Sequence, residues 1–140
     1  MHGVLILGAG KIGALISGLL AESGSYKVHL GDLDGGAADS VVRAHGTGNL
    51  TSFALDAADG NALRKHLGAH PVDAIISSLP YYCNATVAEA ARNAGTHYFD
   101  LTEDVQVTRG VRAIATGAQQ AFVPQCGLAP GFISIAAAEL

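Results

Sequence analysis

Three glycines near the amino terminus have the spacing of a phosphate-binding turn. Gly8, Gly10 and Gly13 directly follow an apolar run, and an amphipathic stretch comes after them. Gly8 permits the tight turn, Gly10 lets a diphosphate approach the backbone, and Gly13 lets the next helix pack closely on the sheet. The N–H groups of Lys11 and Ile12 are then expected to face the phosphates, aided by the helix dipole, with the Lys11 side chain pointing outward.

An acidic residue at the end of the second apolar run completes this pattern. Asp32 falls 19 residues after Gly13, close to the spacing at which a carboxylate accepts both hydroxyls of an adenosine ribose. Asp32 and Asp34 would repel a 2′-phosphate, and Leu33 stands where an arginine would be needed to bind one. The sequence therefore predicts NAD as the cofactor, in preference to NADP.

Alternating short apolar runs and alanine-rich stretches indicate repeated βαβ units. The pattern predicts an α/β fold of the Rossmann type, a doubly wound parallel sheet of order 3-2-1-4-5-6. The predicted strands are residues 4–7, 28–31, 51–54, 74–77, 98–100 and 122–124. The predicted helices are residues 12–23, 36–45, 60–67, 84–94 and 105–118.

Ligands of such sheets bind beyond the carboxyl ends of the strands, so the loops that follow strands carry the functional predictions. After the third strand, Asp56 is expected to bond the adenine amino group and Ala57 to lie against the ring. The alternative for Asp56 is a helix N-cap, although Asp59 is better placed for that role.

The loop after the fourth strand is expected to lie beside the nicotinamide ribose. Ser78, Leu79 and Pro80 form a turn of small and conformationally restricted residues that would not crowd a ligand. Tyr81 or Tyr82 is a candidate to reach a substrate. The alternative is that one tyrosine packs on the sheet edge while the other is exposed.

Polar residues also follow the fifth strand. Asp100, Thr102 and Glu103 are expected at the edge of the site, although Glu103 and Asp104 are equally typical of the first turn of a helix. The last loop, residues 124–132, contains Cys126 and is too rich in glycine and proline for a plain linker.

Composition excludes several classes of function. Charged residues make up 14% of the chain and hydrophobic residues 49%, which suits a sheet covered on both faces. The net charge of −4 and the lack of a basic cluster argue against nucleic-acid binding. Cys83 and Cys126 lie far apart in the sequence, so no disulfide is predicted. The six histidines are interpreted as scattered along the sequence, so no metal site is predicted.

The apolar stretch 4–21 is not read as a signal peptide or a membrane span, because Lys11 and four glycines interrupt it and no basic residue precedes it. A cytoplasmic protein without membrane partners is expected. The low charge and an apolar terminus, residues 133–140, predict a homo-oligomer. We also expect residues 1–125 to form a dinucleotide-binding domain and residues 126–140 to begin a connection to a further part of a longer protein.

These loops together resemble the saccharopine dehydrogenase-like family, within it the lysine epsilon-dehydrogenase and glutamate-forming saccharopine dehydrogenase branches. The likeness extends over the whole chain, and the leucine-proline turn and the Gly-x-x-Pro-Gly loop are its most specific parts. The matching segments are Gly8-Ala9-Gly10-Lys11-Ile12-Gly13, Gly31-Asp32, Asp56-Ala57, Ser78-Leu79-Pro80, Tyr98-Phe99-Asp100-Leu101-Thr102 and Gly127-Leu128-Ala129-Pro130-Gly131.

The resemblance implies an NAD(P)-linked oxidoreductase that transfers hydride to or from an amino-acid-derived amine or imine, a small-molecule substrate. By the same resemblance a substrate domain would follow the last loop, so the chain alone is expected to bind NAD without turnover. Tyr81 and Cys126 are the candidate proton-handling residues. The family likeness assigns cofactor contacts to Gly8, Gly10, Gly13 and Asp32, the flanks of the nicotinamide to residues 78–81, and the substrate side to Cys126 and Gly127.

Two alternatives remain open at the level of sequence. A non-catalytic NAD-sensing domain, like those that regulate potassium channels and transporters, has a similar size and glycine pattern. Such domains usually lack a Leu-Pro-Tyr turn and a loop like residues 127–131. A carboxynorspermidine-type dehydrogenase would differ in substrate and not in reaction class.

Overall fold

The computed structural model describes residues 1–139, which contain a six-stranded, fully parallel sheet. Its strand order, β3-β2-β1-β4-β5-β6, is the predicted one. The strands are β1 (His2–Leu7), β2 (Tyr26–Asp32), β3 (Leu50–Ala54), β4 (Ala74–Ser77), β5 (His97–Asp100) and β6 (Phe122–Val123). Because β1 pairs with both β2 and β4, the strand order reverses at β1 and opens a crevice beyond its carboxyl end.

Helices connect the strands and cover the sheet. They are α1 (Lys11–Glu22), α2 (Gly35–His45), α3 (Gly60–Ala69), α4 (Asn84–Ala94), α5 (Val105–Ile114) and α6 (Phe132–Ala138). Alternate strand residues face opposite sides, so two apolar cores form. One core joins Val4 and Ile6 to α1 and α2, and the other joins Leu5 and Leu7 to α3, α4 and α5.

Three aspartates start helices in the way their side chains favour. The Asp34 carboxylate accepts the N–H groups of Gly36 and Ala37 at the start of α2, and Asp59 does the same for α3. Asp104 accepts the Val107 N–H at the start of α5. The structure therefore confirms Asp59 as the cap of α3, and it gives Asp104 the helix-starting role.

Some predicted boundaries are wrong. Helix α5 ends at Ile114 and not at residue 118, because the chain turns there through Gly117, whose φ of +75° ends a helix. Strand β6 has two residues and excludes Pro124, which has no N–H to donate to a ladder. The apolar terminal stretch forms helix α6 over Phe132–Ala138, and Leu140 lies outside the described residues.

Helix α1 carries an apolar stripe on its outer side. Ile12, Leu15 and Leu19 are each more than half exposed, and their spacing places them on one face of the helix. No helix within residues 1–139 is long and apolar enough to cross a lipid bilayer. The apolar character of residues 4–21 instead arises from a buried strand and a helix that packs on it.

Candidate functional site

The glycine-rich turn joins β1 to α1 at the point where the strand order reverses. Gly8 has a φ of +101°, and a side chain there would place Cβ 2.7 Å from the carbonyl oxygen of Ser78. At Gly13 a Cβ would lie 1.8 Å from the carbonyl oxygen of Gly8, so α1 approaches the turn too closely for any side chain. Gly10 differs, because a Cβ there would meet no atom within 4 Å.

Helix α1 begins without the help of a side chain. Gly10 is its N-cap residue, so no side-chain cap bonds the first-turn N–H groups, and that turn contains no acidic residue. Lys11 is exposed, in agreement with the outward orientation predicted for it. An uncapped helix start that borders the open space at Gly10 is suited to an anion. The residues present therefore fit a diphosphate group.

The Asp32 carboxylate lies beside this turn. Its Oδ2 accepts the Ala9 N–H at 2.6 Å, and its Oδ1 accepts the Asp34 N–H at 2.8 Å. Each carboxylate oxygen has a second lone pair, so both can still accept a hydroxyl group. Sequence reasoning did not find the bond to Ala9, which ties the acid to the phosphate-binding turn. Leu33, beside it, is 75% exposed.

Two cavities open along the carboxyl edge of the sheet, and we call them cavity A and cavity B. Cavity A, about 400 Å³, lies on the Asp32 side. Cavity B, about 440 Å³, lies on the β5 side. Cavity A is lined by Gly31, Asp32, Leu33, Leu55, Asp56, Ala57, Ala58, Leu79, Pro80, Tyr82 and Cys83. Cavity B is lined by Ile12, Ser78, Leu79, Tyr81, Leu101, Thr102, Glu103 and Asp104.

The wall of cavity A contains the residues predicted to contact adenine. Asp56 accepts the Ala58 N–H at 2.9 Å and does not cap α3, which removes the alternative considered for it. Ala57 is almost fully buried and packs in the core below the cavity. Cys83 also lines the cavity, where burial and the nearby Asp56 charge raise the pKa of its thiol. This thiol stays protonated at neutral pH.

The leucine-proline turn separates the two cavities. Leu79 lines both, whereas Pro80 lines cavity A and Ser78 lines cavity B. A ligand that filled both cavities would therefore pass around Leu79. The turn lies beside the glycine-rich loop, because the Ser78 N–H bonds the carbonyl oxygen of Leu7.

The two tyrosines after this turn do not fit the alternative in which one of them packs on the sheet edge. Tyr81 and Tyr82 are both exposed, at 56% and 69%, and neither packs on the sheet edge. They begin a short 3₁₀ helix, Tyr81–Cys83. Their rings pack edge to face, with 5.8 Å between the ring centroids. Tyr81 lines cavity B and Tyr82 lines cavity A, so each ring is within reach of a ligand.

Asp100 is not at the edge of the site, which corrects the prediction made for it. The carboxylate is fully buried and accepts the Tyr98 hydroxyl at 2.7 Å, the Thr102 N–H at 2.9 Å and the Gln125 N–H at 3.2 Å. The backbone carbonyl oxygen of Asp100 accepts the Cys126 N–H at 2.7 Å. Burial and the Asp100 charge raise the pKa of the Tyr98 hydroxyl, which keeps this donor protonated. Asp100 therefore anchors two loops from inside.

A second buried pair continues this polar region. The Ser77 hydroxyl donates to Asn84 Oδ1 at 2.7 Å, and both side chains are fully buried at the start of α4. The Tyr98 hydroxyl lies 3.4 Å from the Asn84 carbonyl oxygen. Sequence reasoning assigned no role to Asn84, because a polar residue at a helix start gives no sign of its tertiary partners.

Cys126 lies apart from both cavities. Its thiol donates to the Val123 carbonyl oxygen at 3.1 Å and does not line cavity A or cavity B. Burial, together with the Asp100 charge, raises the pKa of the thiol. The turn that carries it folds back on itself, since the Phe132 N–H bonds the Gly127 carbonyl oxygen at 2.9 Å. Tyr81 and Cys126 are thus not side by side around one cavity.

The histidines are not scattered in space, contrary to the sequence interpretation. His66 and His70 are four residues apart, a helical spacing that was visible in the sequence, and His29 of β2 lies beside them. Within residues 1–139, no group of three His, Cys, Asp or Glu side chains is arranged to hold a metal ion.

A parallel sheet of this order, with a glycine-rich turn at its switch point and an acid at the end of β2, defines a dinucleotide-binding Rossmann domain. The family model described as the saccharopine dehydrogenase NADP binding domain matches residues 4–123. The chain belongs to this family of dinucleotide-binding domains.

Solved structures agree with the fold. The chain resembles apo saccharopine dehydrogenase (L-Glu forming) from Saccharomyces cerevisiae with a TM-score of 0.86 and 23% identity, over 99% of this chain and 30% of that one. A putative myo-inositol dehydrogenase from Sinorhizobium meliloti has a TM-score of 0.69 and 19% identity, over 89% and 36%. UDP-glucose 4-epimerase from Bifidobacterium longum, solved with NAD+ and UDP, has a TM-score of 0.71 and 12% identity, over 87% and 52%.

Proposed function

We propose that this domain binds NAD for an enzyme that transfers hydride to or from a nitrogen-bearing carbon of an amino-acid-derived substrate. The observation that carries the proposal is the open space at Gly10, which faces the uncapped start of α1 beside the Asp32 carboxylate. The yeast relative is by its name a saccharopine dehydrogenase, which supports an amino-acid-type substrate. The cofactor would supply the hydride step, and the protein orients it.

Each part of the cofactor has a set of residues suited to hold it. The diphosphate would lie over Gly10 and the N–H groups of Lys11 and Ile12, with Gly8 and Gly13 shaping the turn. The Asp32 carboxylate would accept the ribose hydroxyls beside Leu33. In cavity A the adenine would contact Asp56 and Ala57. The cofactor would then bend around Ser78, Leu79 and Pro80 toward cavity B.

Tyr81 and Cys126 remain the candidates for proton handling. Tyr81 has the better position, because it lines cavity B. The Cys126 thiol has a raised pKa and donates to the Val123 carbonyl oxygen, so it is protonated at neutral pH and does not serve as a proton acceptor there. The chain matches 30% of the length of the yeast enzyme, so the complete substrate pocket is not expected from these residues alone. We therefore expect NAD binding without oxidation of lysine or saccharopine.

The preference for NAD over NADP follows from charge at the end of β2. A 2′-phosphate would lie next to the Asp32 carboxylate, with Asp34 two residues further on and no cation at Leu33. Like charges at contact distance oppose binding by on the order of 1 kcal/mol or more near a protein surface. The family is described as an NADP binding domain, so the proposed preference for NAD would distinguish this chain from that description.

Calorimetric titration of the chain with NAD and with NADP tests this function and its cofactor preference. We expect NAD to bind at least about tenfold more tightly, equivalent to about 1.4 kcal/mol. Asp32→Asn removes the charge at nearly constant volume and should reduce the ratio to about one, mainly by weakening NAD. Glu89→Gln, which neutralises an exposed acid on α4 outside both cavities, should leave the ratio unchanged.

Two results would contradict these statements in different ways. No heat with either dinucleotide would exclude cofactor binding at this crevice. Tighter binding of NADP would leave the domain assignment intact and show that Asp32 does not select the cofactor.

We also propose that the domain self-associates in the cytoplasm through the apolar stripe of α1. Ile12, Leu15 and Leu19 are 51%, 57% and 60% exposed and form one apolar stripe, and contiguous exposed apolar surface is typical of protein–protein contacts. Sedimentation should give a dimer, and the double substitution Leu15→Glu and Leu19→Glu should give a monomer that still binds NAD. A monomeric unmodified chain at all accessible concentrations would contradict the proposal.

A further inference from the structure

Three histidine rings lie together at the carboxyl end of α3, where those of His29 and His66 are half-buried and that of His70 is exposed. His29 projects from β2, while His66 and His70 lie at the carboxyl end of α3. The ring centroids of His66 and His70 are 4.8 Å apart, and those of His29 and His70 are 6.1 Å apart. We call these three residues the histidine cluster.

The surroundings of His29 and His66 favour neutral rings. Thr51 of β3 is the polar neighbour of His29, with 3.2 Å between its hydroxyl and Nδ1. His66 Nε2 is buried and has no hydrogen-bond partner among the described residues. Burial lowers the pKa values of both rings; Lys27 on β2 and His70 lower that of His29 further, and His70 and His29 lower that of His66.

The histidine cluster is connected to the floor of cavity A through one aromatic contact. The ring of His66 stacks on Phe53 of β3, with centroids 3.9 Å apart and planes 12° from parallel. Phe53 covers the backbone of Gly31, where an added Cβ would lie 2.6 Å from the Phe53 ring. Gly31 lines cavity A and directly precedes Asp32.

The same helix is also connected to the opposite wall of the cavity. Helix α3 begins directly after residues 56–58, which line cavity A, and Asp59 fixes its start. Leu63 and Leu67 of α3 share a buried core with Ala57 of that wall. A displacement of α3 away from β2 and β3 would thus reach both sides of the cavity.

We propose that the histidine cluster makes dinucleotide binding sensitive to pH, because protonated rings repel one another and move α3 away from the floor of cavity A. Here the inference rests on the proposed function, since it takes cavity A to receive the adenosine end of NAD. The dinucleotide and the proton are therefore two ligands whose binding is coupled through α3.

The direction of the effect follows from linkage. His29 and His66 bind protons less readily in the folded protein than in an open or unfolded chain, whose histidines have a pKa near 6.5. Stability and affinity from the neutral cluster are therefore complete above about pH 6.5 and are lost as the pH falls through the lowered pKa values. By reciprocity, NAD binding lowers the pKa values of His29 and His66 further.

Calorimetric titration with NAD at about pH 7.5 and about pH 5.5 tests the inference. We expect roughly tenfold weaker binding at the lower pH, within the usual range for coupled sites. His29→Gln with His70→Gln removes two of the three charges and should reduce this difference to less than about threefold. His2→Gln changes an exposed histidine outside the cluster and should retain the full difference.

Nuclear magnetic resonance titration of the histidine rings supplies a second readout that a merely structural role would not affect. In the unmodified chain, NAD should lower the pKa values of His29 and His66. Equal pH dependence in the unmodified chain and the double variant, or ring pKa values that ignore NAD, would overturn the inference alone. No NAD binding at either pH would overturn the proposed function and this inference with it.

Discussion

Gly10→Ala is expected to abolish NAD binding, with an affinity loss of at least about 100-fold, or about 2.7 kcal/mol. The added methyl group would occupy the space above the start of α1, where the structure has no atom within 4 Å and a diphosphate would lie. Gly10 has a φ of −65° and a ψ of −178°, which alanine adopts without strain. The free energy of unfolding should therefore fall by no more than about 1 kcal/mol, the usual cost of a poorer N-cap.

Calorimetry with NAD and thermal unfolding measure the two halves of this prediction. Gly110→Ala is the matched control, because Gly110 lies within α5 and an added Cβ there also meets no atom within 4 Å. That control should bind NAD normally and gain up to about 1 kcal/mol of stability from the better helix former. Native affinity in Gly10→Ala would show that the diphosphate does not lie over this turn.

Gly13→Ala should instead fail at the level of folding, although it lies only one helical turn away. Its Cβ would lie 1.8 Å from the Gly8 carbonyl oxygen and 2.9 Å from the carbonyl carbon, so α1 would have to move away from the turn. Helix α1 packs its buried face against the core formed by Val4 and Ile6. We expect a loss of at least about 3 kcal/mol in the free energy of unfolding, the upper part of the range for overpacking.

Urea unfolding followed by circular dichroism gives this value directly, with Gly110→Ala again as the control. An aggregated or unfolded variant agrees with the prediction. A soluble variant with an unfolding midpoint close to that of the unmodified chain would contradict it, and would mean that α1 can shift without loss of core contacts.

The sequence predicted the larger part of the architecture because its signals are local. The glycine pattern, the alternation of apolar runs and the acid after the second run determine the parallel sheet and its order, and both are confirmed. Caps at Asp59 and Asp104 were also visible, since an aspartate before a helical stretch bonds groups two or three residues away. The predicted helix boundary was wrong where a turn interrupts a helical pattern, as after Ile114.

Tertiary partners were the part that local patterns could not predict. Asp100 was expected at the site because it follows a strand, yet Gln125 and Tyr98 bind its carboxylate in the interior. His29 comes close to His70 only because β2 and the end of α3 meet in the folded protein. The contact between Asp32 and Ala9 likewise depends on how two adjacent strands end.

The buried Asp100 carboxylate has a consequence for protein engineering. One side chain holds the backbone of Thr102 and of Gln125, two segments more than twenty residues apart in the chain. Loops grafted from another dehydrogenase onto this sheet would need to be exchanged as a pair, with the aspartate retained as their common attachment point. A transplant of one loop alone would leave its partner without a fixed geometry.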